Sequence, residues 1–364
     1  MTTPETTRPD HPSAPEVASR LSALDRYLPL WIAAAMAGGL LLGRLVPDLD
    51  ATLEGIKVDT VSLPIALGLL AMMYPVLAKV RYRRLGDELS DPRTLVFSLV
   101  LNWVIGPLLM FTLAWLFLAD LPELRTGLIV VGLARCIAMV LIWNDLACGN
   151  RELAAGLVAI NSLFQIAMFS ALGWFYLQVL PDWLGLGTED LAVSMWEIAR
   201  SVLVFLGIPL AAGFVTRLVG ERRRGTEWYE QQFLPRIGPI ALYGLLFTIV
   251  VLFALQGESI TSNPLDVARV ALPLLAYFAL MWFGAFVAGR RMGIPYDRNA
   301  SVAFTAAGNN FELAIAVSIS VFGVTSGQAL AGTIGPLVEV PALVALVYLS
   351  LWLRPRWYPA ATSV

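Results

Sequence analysis

The chain has few of the residues that catalytic and metal-binding proteins use. Among its 364 residues are two cysteines, Cys136 and Cys148, one histidine, His11, and two lysines. Thiolates and imidazoles are the usual ligands of zinc and haem. Because both are scarce, we expect neither zinc nor haem, and no other cofactor. Neither Lys57 nor Lys79 is followed by serine or threonine, which excludes a Walker A phosphate loop. Any pumping would use an ion gradient, or an ATPase on another chain, and the sequence requires no such ATPase subunit.

Charge is also scarce. Only 14% of the residues are charged, whereas a soluble domain carries about 25%. The chain is 58% hydrophobic, and its mean hydropathy is +0.72. This composition predicts an integral membrane protein with most of its length in the lipid bilayer. A net charge of -2, without a basic stripe interleaved with aromatics, argues against nucleic acid as a partner.

Apolar runs organise the rest of the chain. Residues 1–27 are rich in proline, threonine, serine and charge, and are predicted to form a disordered cytoplasmic tail. Ten runs follow, each near the ~20 residues that a membrane-spanning helix needs. They cover residues 28–46, 61–79, 94–118, 126–147, 153–180, 198–218, 237–255, 268–289, 299–321 and 328–353. Strands of a β-barrel would be shorter and would alternate, so the prediction is all-α with ten transmembrane helices.

Basic residues predict the orientation of these spans. With both termini in the cytoplasm, 19 of the 25 lysines and arginines lie on the inner side, five lie outside, and Arg135 lies within the fourth run. The five outer residues are Arg44, Lys57, Arg125, Arg200 and Arg269. Because positive charge favours the cytoplasmic side, we expect a multi-pass protein of the inner or plasma membrane with both termini inside.

A long-period repeat relates the two halves. An offset of 176 residues carries the second, third and fourth runs onto the seventh, eighth and ninth. Each half contains five spans, an odd number, so the second half must lie upside down relative to the first. The predicted units are a first five-helix repeat over 28–180 and an inverted repeat over 198–353. Such inverted repeats are typical of secondary transporters, whose sites lie near the midplane at the repeat interface.

The ninth run contains the most informative segment. Gly308, Asn309 and Asn310 interrupt an apolar stretch, and Glu312 follows them. A helix break within the bilayer is tolerated where the freed backbone lines a cavity or packs in protein. The sequence therefore predicts a broken helix with a binding site at the break. The repeat offset places Gly132 on Gly308.

The same offset places Cys136 on Glu312, which makes both candidate transport residues. An intramembrane carboxylate is functional by default and can carry a proton, although Glu312 could instead be a structural partner. Cys136 could be an apolar filler, but its thiolate would suit a soft, thiophilic ion or metalloid. Arg135 could favour that thiolate, and we expect it to pair with an acid, either Glu312 or Glu339. Glu339 is a possible second proton site.

Amides supply further polar groups. Asn309 and Asn310 could cap the second half-helix or present donors and acceptors to a polar ligand. Asn161 and Gln165 lie four residues apart on one face of the fifth run, where helix–helix hydrogen bonding is the expected role. Cys148 lies at a helix end and is expected to be incidental.

These segments resemble the signatures of a known family. The stretches are GLARCIAMVLIWNDLA at 132–147, NNFELAIAV at 309–317, IGPLVEVP at 334–341, SLPIALG at 62–68 and MMYPVLAK at 72–79. They look like those of arsenite-efflux permeases, the arsenical-resistance group of the bile acid/arsenite/riboflavin transporter superfamily. The likeness covers nearly all of the chain except the N-terminal tail.

The resemblance implies a fold and a function. It implies ten spans with crossed, discontinuous fourth and ninth helices, and export of trivalent arsenite, possibly also antimonite, in exchange for protons. It also points to the fourth-span cysteine and the ninth-span glutamate as essential, which match Cys136 and Glu312. The chain would then be an ion-gradient-driven antiporter that confers arsenic resistance.

Other functions remain open at this point. A sodium-coupled organic-anion carrier of the same superfamily could use Asn309, Asn310 and Glu312 as sodium ligands, because sodium prefers hard oxygen atoms. A membrane-embedded enzyme would need a nucleophile–base pair or a metal cluster, and the sequence contains neither. A channel is less favoured than a carrier, because inverted repeats with broken helices are typical of alternating access.

Overall fold

The computed structural model describes residues 27–46, 57–58, 61–80, 91–186, 194–262 and 264–359. The predicted tail, apart from Tyr27, lies outside these ranges. So do Arg81, Arg83 and Arg84, which are among the basic residues counted on the inner side. The described chain is helical except for a short hairpin, in which Lys57–Val58 pairs antiparallel with Val61–Ser62.

Thirteen helices make up the described chain, and we number them in order. They are α1 (Leu28–Leu45), α2 (Leu63–Ala78), α3 (Pro92–Phe117), α4 (Pro122–Leu133), α5 (Met139–Leu146), α6 (Arg151–Trp183), α7 (Met195–Arg224), α8 (Thr226–Leu255), α9 (Gly257–Ser262), α10 (Pro264–Arg291), α11 (Tyr296–Ala307), α12 (Phe311–Phe322) and α13 (Gly327–Trp357). Within the described ranges, six helices are long and apolar enough to cross a membrane: α3, α6, α7, α8, α10 and α13. The protein is an all-α integral membrane protein.

Side-chain caps and a glycine fix where several helices begin and end. The Asp91 carboxylate accepts hydrogen bonds from the N–H groups of Arg93 and Thr94 at the start of α3. The Thr94 side chain above all holds the pKa of Asp91 below its usual value. Asn150 caps α6 in the same way, with its Oδ1 2.9 Å from the N–H of Leu153.

The connection between α7 and α8 is much shorter than the hydropathy pattern indicates. The apolar runs predict a loop over 219–236, but α7 continues to Arg224 and α8 begins at Thr226. Gly225 alone separates them, at φ +87°, a conformation that favours glycine. Arginine, glutamate and glutamine are good helix formers, so these polar segments extend both helices beyond their apolar parts.

Four long helices each contain a widened, π-helical turn. The turns cover 101–105 in α3, 175–179 in α6, 203–207 in α7 and 229–233 in α8. A proline follows each turn by two residues, as Pro107 follows Ile105 in α3. Proline lacks an N–H and its ring collides with the carbonyl four residues earlier, so the preceding turn must widen.

The helices form two groups in contact. In the four-helix group, α8 packs along α1 and α2, and α7 packs against α2. Small residues allow this packing, because a Cβ on Gly39 of α1 or Gly244 of α8 would overlap the neighbouring helix. The broken-helix group contains α3–α6 and α10–α13, in which α13 contacts α4, α10 and α12. The beginning of α7 joins the groups by packing against α6 and α12.

Candidate functional site

Two interruptions of helix lie side by side within the broken-helix group. One separates α4 from α5 over 134–138, and the other separates α11 from α12 over 308–310. The N–H of Cys136 donates to the carbonyl of Gly308 at 3.3 Å, and the N–H of Asn310 donates to the carbonyl of Ala134 at 3.0 Å. These paired breaks therefore satisfy each other's backbone groups, as buried irregular backbone requires.

Gly132 and Gly308, which the repeat offset aligns, both allow close packing. A Cβ on Gly308 would lie 2.9 Å from the Cβ of Cys136, closer than real carbon atoms approach. A Cβ on Gly132 would overlap the side chain of Met110 on α3. Both positions therefore let neighbouring backbone and side chains approach closely, and their place as possible secondary site residues stays a prediction.

Replacing Gly308 by alanine tests this close approach. The φ of Gly308 is −72°, which alanine adopts readily, so only the contact with Cys136 changes. Overpacking typically costs about 1–3 kcal/mol, and we expect Gly308→Ala to lower the melting temperature of the purified protein. Gly284→Ala is the comparison variant, because no atom lies within 4 Å of a Cβ there and alanine favours the interior of α10, so its melting temperature should be unchanged or higher. A melting temperature of Gly308→Ala at or above that of the original protein would contradict the packing role.

Asn309 and Asn310 each satisfy one helix end. The Oδ1 of Asn310 accepts a hydrogen bond from the N–H of Leu313 at 3.0 Å and so caps α12. The Nδ2 of Asn309 donates to the carbonyl of Val131 at 2.8 Å, at the end of α4. The other amide atoms, Oδ1 of Asn309 and Nδ2 of Asn310, are buried without a partner among the described residues. Capping is thus one role of this pair, and one polar atom of each remains available to a ligand.

Cys136 lies between the two breaks. Its side chain is 2% exposed, and its Sγ accepts a hydrogen bond from the N–H of Val140 at 3.3 Å. The thiol therefore lies at the N-terminal end of α5, towards which free backbone N–H groups point. Cys148 lies apart from this arrangement, in the turn after α5, at φ +55°. Neither cysteine forms a disulfide.

Two carboxyl groups lie near the Cys136 thiol. Glu312 occupies the first turn of α12 and is half-buried. Glu339 lies within α13 and is 3% exposed, and its carboxylate lies beside the backbone N–H of Asn309. Both are close enough to Cys136 to interact with it electrostatically, and they interact with each other. The fold thus brings a thiol and two acids from three distant segments into one cluster.

Arg135 does not form the predicted ion pair. Within the described ranges, neither Glu312 nor Glu339 lies at ion-pairing distance from its guanidinium, which is fully buried. Nη1 donates instead to the hydroxyl of Tyr277 at 2.7 Å, and Nη2 donates to the carbonyl of Gly132. The prediction is wrong because carbonyls at the end of α4 and an aromatic ring also stabilise a cation.

The surroundings of Arg135 include residues that the sequence did not single out as a site. Tyr277 on α10 places its ring centroid 5.9 Å from the guanidinium carbon. Gly106 on α3 leaves room for the guanidinium, because a Cβ there would lie 2.6 Å from Nη1. A tyrosine or glycine in an apolar helix gives no local signal of such a role, since both are common there.

The polar face of α6 also reaches the breaks. The Oε1 of Gln165 accepts the backbone N–H of Arg135 at 3.0 Å, within the first break. The Oδ1 of Asn161 accepts the indole N–H of Trp103 at 3.2 Å, so helix–helix bonding is one role of this pair. Their amide nitrogens are buried without partners in the described chain. Gln165 thus belongs to the site more closely than the sequence indicated.

A buried thiol, two carboxyls and a cation around paired helix breaks form an arrangement that is typical of membrane transporters. The profile of the sodium bile acid symporter family matches residues 66–263. The chain is 62% identical over 341 residues to the arsenical-resistance protein Acr3 of Corynebacterium glutamicum, covering 94% of this chain and 92% of that protein. It is 32% identical to Acr3 of Alkaliphilus metalliredigens, covering 92% and 94% of the two chains.

A third relative is an uncharacterized transporter of Synechocystis, 36% identical over 93% of this chain and 91% of its own. The chain therefore belongs to the sodium bile acid symporter family, within its arsenical-resistance group. It is a transporter and not an enzyme.

Proposed function

We propose that this protein exports trivalent arsenite across the cell membrane in exchange for protons, and that antimonite is a second possible cargo. The observation that carries the proposal is the position of Cys136, whose buried thiol lies between the paired breaks beside Glu312 and Glu339. The high identity to an arsenical-resistance protein over almost the whole chain supports the same cargo.

The chemistry of the cargo suits one thiol with polar neighbours. Arsenite at neutral pH is a small, largely uncharged trihydroxide of a soft, thiophilic element. One As–OH group exchanges with the Cys136 thiol, so that an As–S bond forms and water leaves. The remaining hydroxyls can bond to Glu312 and to the unpartnered amide atoms of Asn309 and Asn310. Three thiols would hold arsenite too tightly for a carrier, which must release it.

A neutral cargo requires a separate driving ion. The membrane potential does no work on uncharged arsenite, so uphill export needs an ion that moves inward. Glu312 is the proposed proton carrier, because it is a carboxyl beside the cysteine at a helix break. Glu339 is the next candidate, since its buried Oε1 has no hydrogen-bond partner among the described residues. Arg135 supplies a fixed positive charge nearby.

The proposed architecture is ten spans in two inverted repeats, over 28–180 and 198–353, with α4–α5 and α11–α12 as discontinuous crossed spans. Helix positions support it. Helix α6 begins at Arg151 and α13 begins at Gly327. These starts lie 176 residues apart, which is the repeat offset in the sequence. The same offset carries α3 onto α10 and the α4–α5 break close to the α11–α12 break.

Transport assays in everted vesicles test the function. We expect radiolabelled arsenite to accumulate when the lumen is acidic, to be released by a protonophore, and to be insensitive to sodium. Sodium-dependent uptake of an organic anion, without uptake of arsenite, would support the alternative, a sodium-coupled organic-anion carrier with Asn309, Asn310 and Glu312 as sodium ligands. Vesicles without the protein are the control. Absence of gradient-driven uptake with both ions would contradict the proposal.

Reporter fusions test the orientation. The excess of basic residues on one side predicts that both termini and Arg222–Arg224 are cytoplasmic. A reporter that is active only in the periplasm should be silent when fused after Arg354 and active when inserted within 181–190. The reverse pattern would overturn both the orientation and the number of spans.

A further inference from the structure

A groove with a basic mouth lies where α7 meets α8. It has a volume of about 380 Å³. Val215 and Val219 of α7 and Phe233 of α8 form its apolar wall, and Arg223, Arg224 and Trp228 stand at one end. We call it the Arg223–Arg224 groove. It is distant in sequence from both helix breaks, and the proposed transport chemistry does not use it.

The floor of the groove is held by aromatic packing. Gly220 allows Tyr229 to lie against α7, because a Cβ at Gly220 would lie 2.7 Å from the tyrosine ring. Tyr229 is buried, stacks on Phe233 with ring centroids 5.0 Å apart, and donates to the carbonyl of Ala78 at 3.1 Å. The apolar wall therefore exists before any ligand binds, which lowers the entropy cost of binding.

The positive charge of Arg223 and Arg224, at one end of the groove, is not neutralised by neighbouring acids in the described chain. Two nearby acids, Glu221 and Glu230, pair with Arg217, at 2.8 and 2.9 Å. In the described chain, Arg223 and Arg224 form no ion pair, and the guanidinium carbon of Arg224 lies 4.7 Å from the Trp228 ring centroid. The groove thus offers two arginine side chains beside an apolar channel.

We propose that the Arg223–Arg224 groove binds an anionic phospholipid of the phosphatidylglycerol type. Arginine forms paired hydrogen bonds to phosphate oxygens, so Arg223 and Arg224 hold the headgroup phosphate. Trp228 lies at headgroup level, where its amphipathic ring is favoured. One acyl chain lies along Val215, Val219 and Phe233, two of which are exposed valines that face lipid in a membrane protein. A choline headgroup would bring a cation towards the arginines, so the site selects an anionic lipid.

Lipid titration of the full-length protein tests the site. The purified protein is reconstituted in phosphatidylcholine nanodiscs, phosphatidylglycerol is titrated in, and binding is followed by native mass spectrometry and by melting temperature. We expect Arg223→Gln with Arg224→Gln to weaken phosphatidylglycerol binding by roughly 10- to 30-fold, as two basic contacts imply. Val219→Trp, which fills the channel and leaves the charges, should also reduce binding.

Arg222→Gln with Arg236→Gln is the matched control. It removes the same charge from the same region, but neither residue lines the groove, and binding should stay within threefold of the original protein. Wild-type affinity in the Arg223/Arg224 variant, or an equal loss in the control, would overturn the proposal. So would equal stabilisation by soluble glycerol 3-phosphate, because the ligand would then be a free phosphate and not a lipid.

Discussion

Cells that depend on this protein for arsenite resistance should lose that resistance when Cys136 is replaced by serine. The hydroxyl can still accept the hydrogen bond from the N–H of Val140, and the side chain remains small and buried, so folding and insertion should be unaffected. An oxygen is a hard ligand, however, and cannot replace the soft thiol in the proposed bond to arsenic. We therefore expect growth in arsenite to fall to the level of the host without the protein, at equal expression.

Cys148→Ser is the control for this experiment. Cys148 is the other cysteine of the chain and lies in the turn after α5, outside the paired breaks. Its replacement should leave resistance unchanged. Full resistance of the Cys136→Ser cells would show that the thiol is not a ligand, and the cargo would then have to bind through the carboxyls and amides alone.

Glu312→Gln should abolish proton-driven accumulation of arsenite in everted vesicles. Glutamine keeps the shape and most hydrogen bonds of glutamate but cannot titrate, so the site would lose its proposed proton carrier. Binding, or downhill exchange of labelled for unlabelled arsenite, can survive the change. Glu312→Asp, whose carboxyl is withdrawn by one methylene, should retain partial activity.

Matched variants distinguish a loss of proton coupling from a general loss of folding or activity. Glu152→Gln removes an exposed carboxylate from the first turn of α6, outside both breaks, and should transport normally. Arg135→Ala removes the buried fixed charge near the site and should shift the pH optimum. Full gradient-driven transport by Glu312→Gln would move the coupling role elsewhere, and Glu339→Gln would be the next variant to measure.

The two breaks differ in how far the sequence reveals them. Gly308 and the following asparagines are polar helix breakers within an apolar run, so that break could be placed from local chemistry. The break over 134–138 contains neither glycine nor proline. Its backbone groups bond to Gln165 of α6 and to Gly308 and Asn309 of the other break, so its position depends on tertiary contacts. A single sequence does not show those contacts.

Charges and prolines give a similar contrast. Arg135 could be recognised as a costly buried cation, but counting acids led to Glu312 and Glu339 and missed the hydroxyl of Tyr277 as its partner. The π-helical turns were missed although the prolines that follow them are visible in the sequence. A proline in an apolar run has several possible outcomes, including a kink, and the surrounding helices decide which one forms.

The hydrogen bonds between the paired breaks limit how such a carrier can move. Separating α4–α5 from α11–α12 would expose the N–H of Asn310 and the carbonyls of Ala134 and Gly308 in surroundings that cannot replace those bonds. These bonds favour movement of the two breaks as one rigid unit. Polar contacts between the described residues of the broken-helix group and the four-helix group include Ser201 Oγ to Ser320 Oγ at 2.8 Å and Gln256 Nε2 to the carbonyl of Val324 at 2.8 Å. In the proposed transport cycle, we therefore expect the two breaks to move together past the four-helix group with the cargo between them.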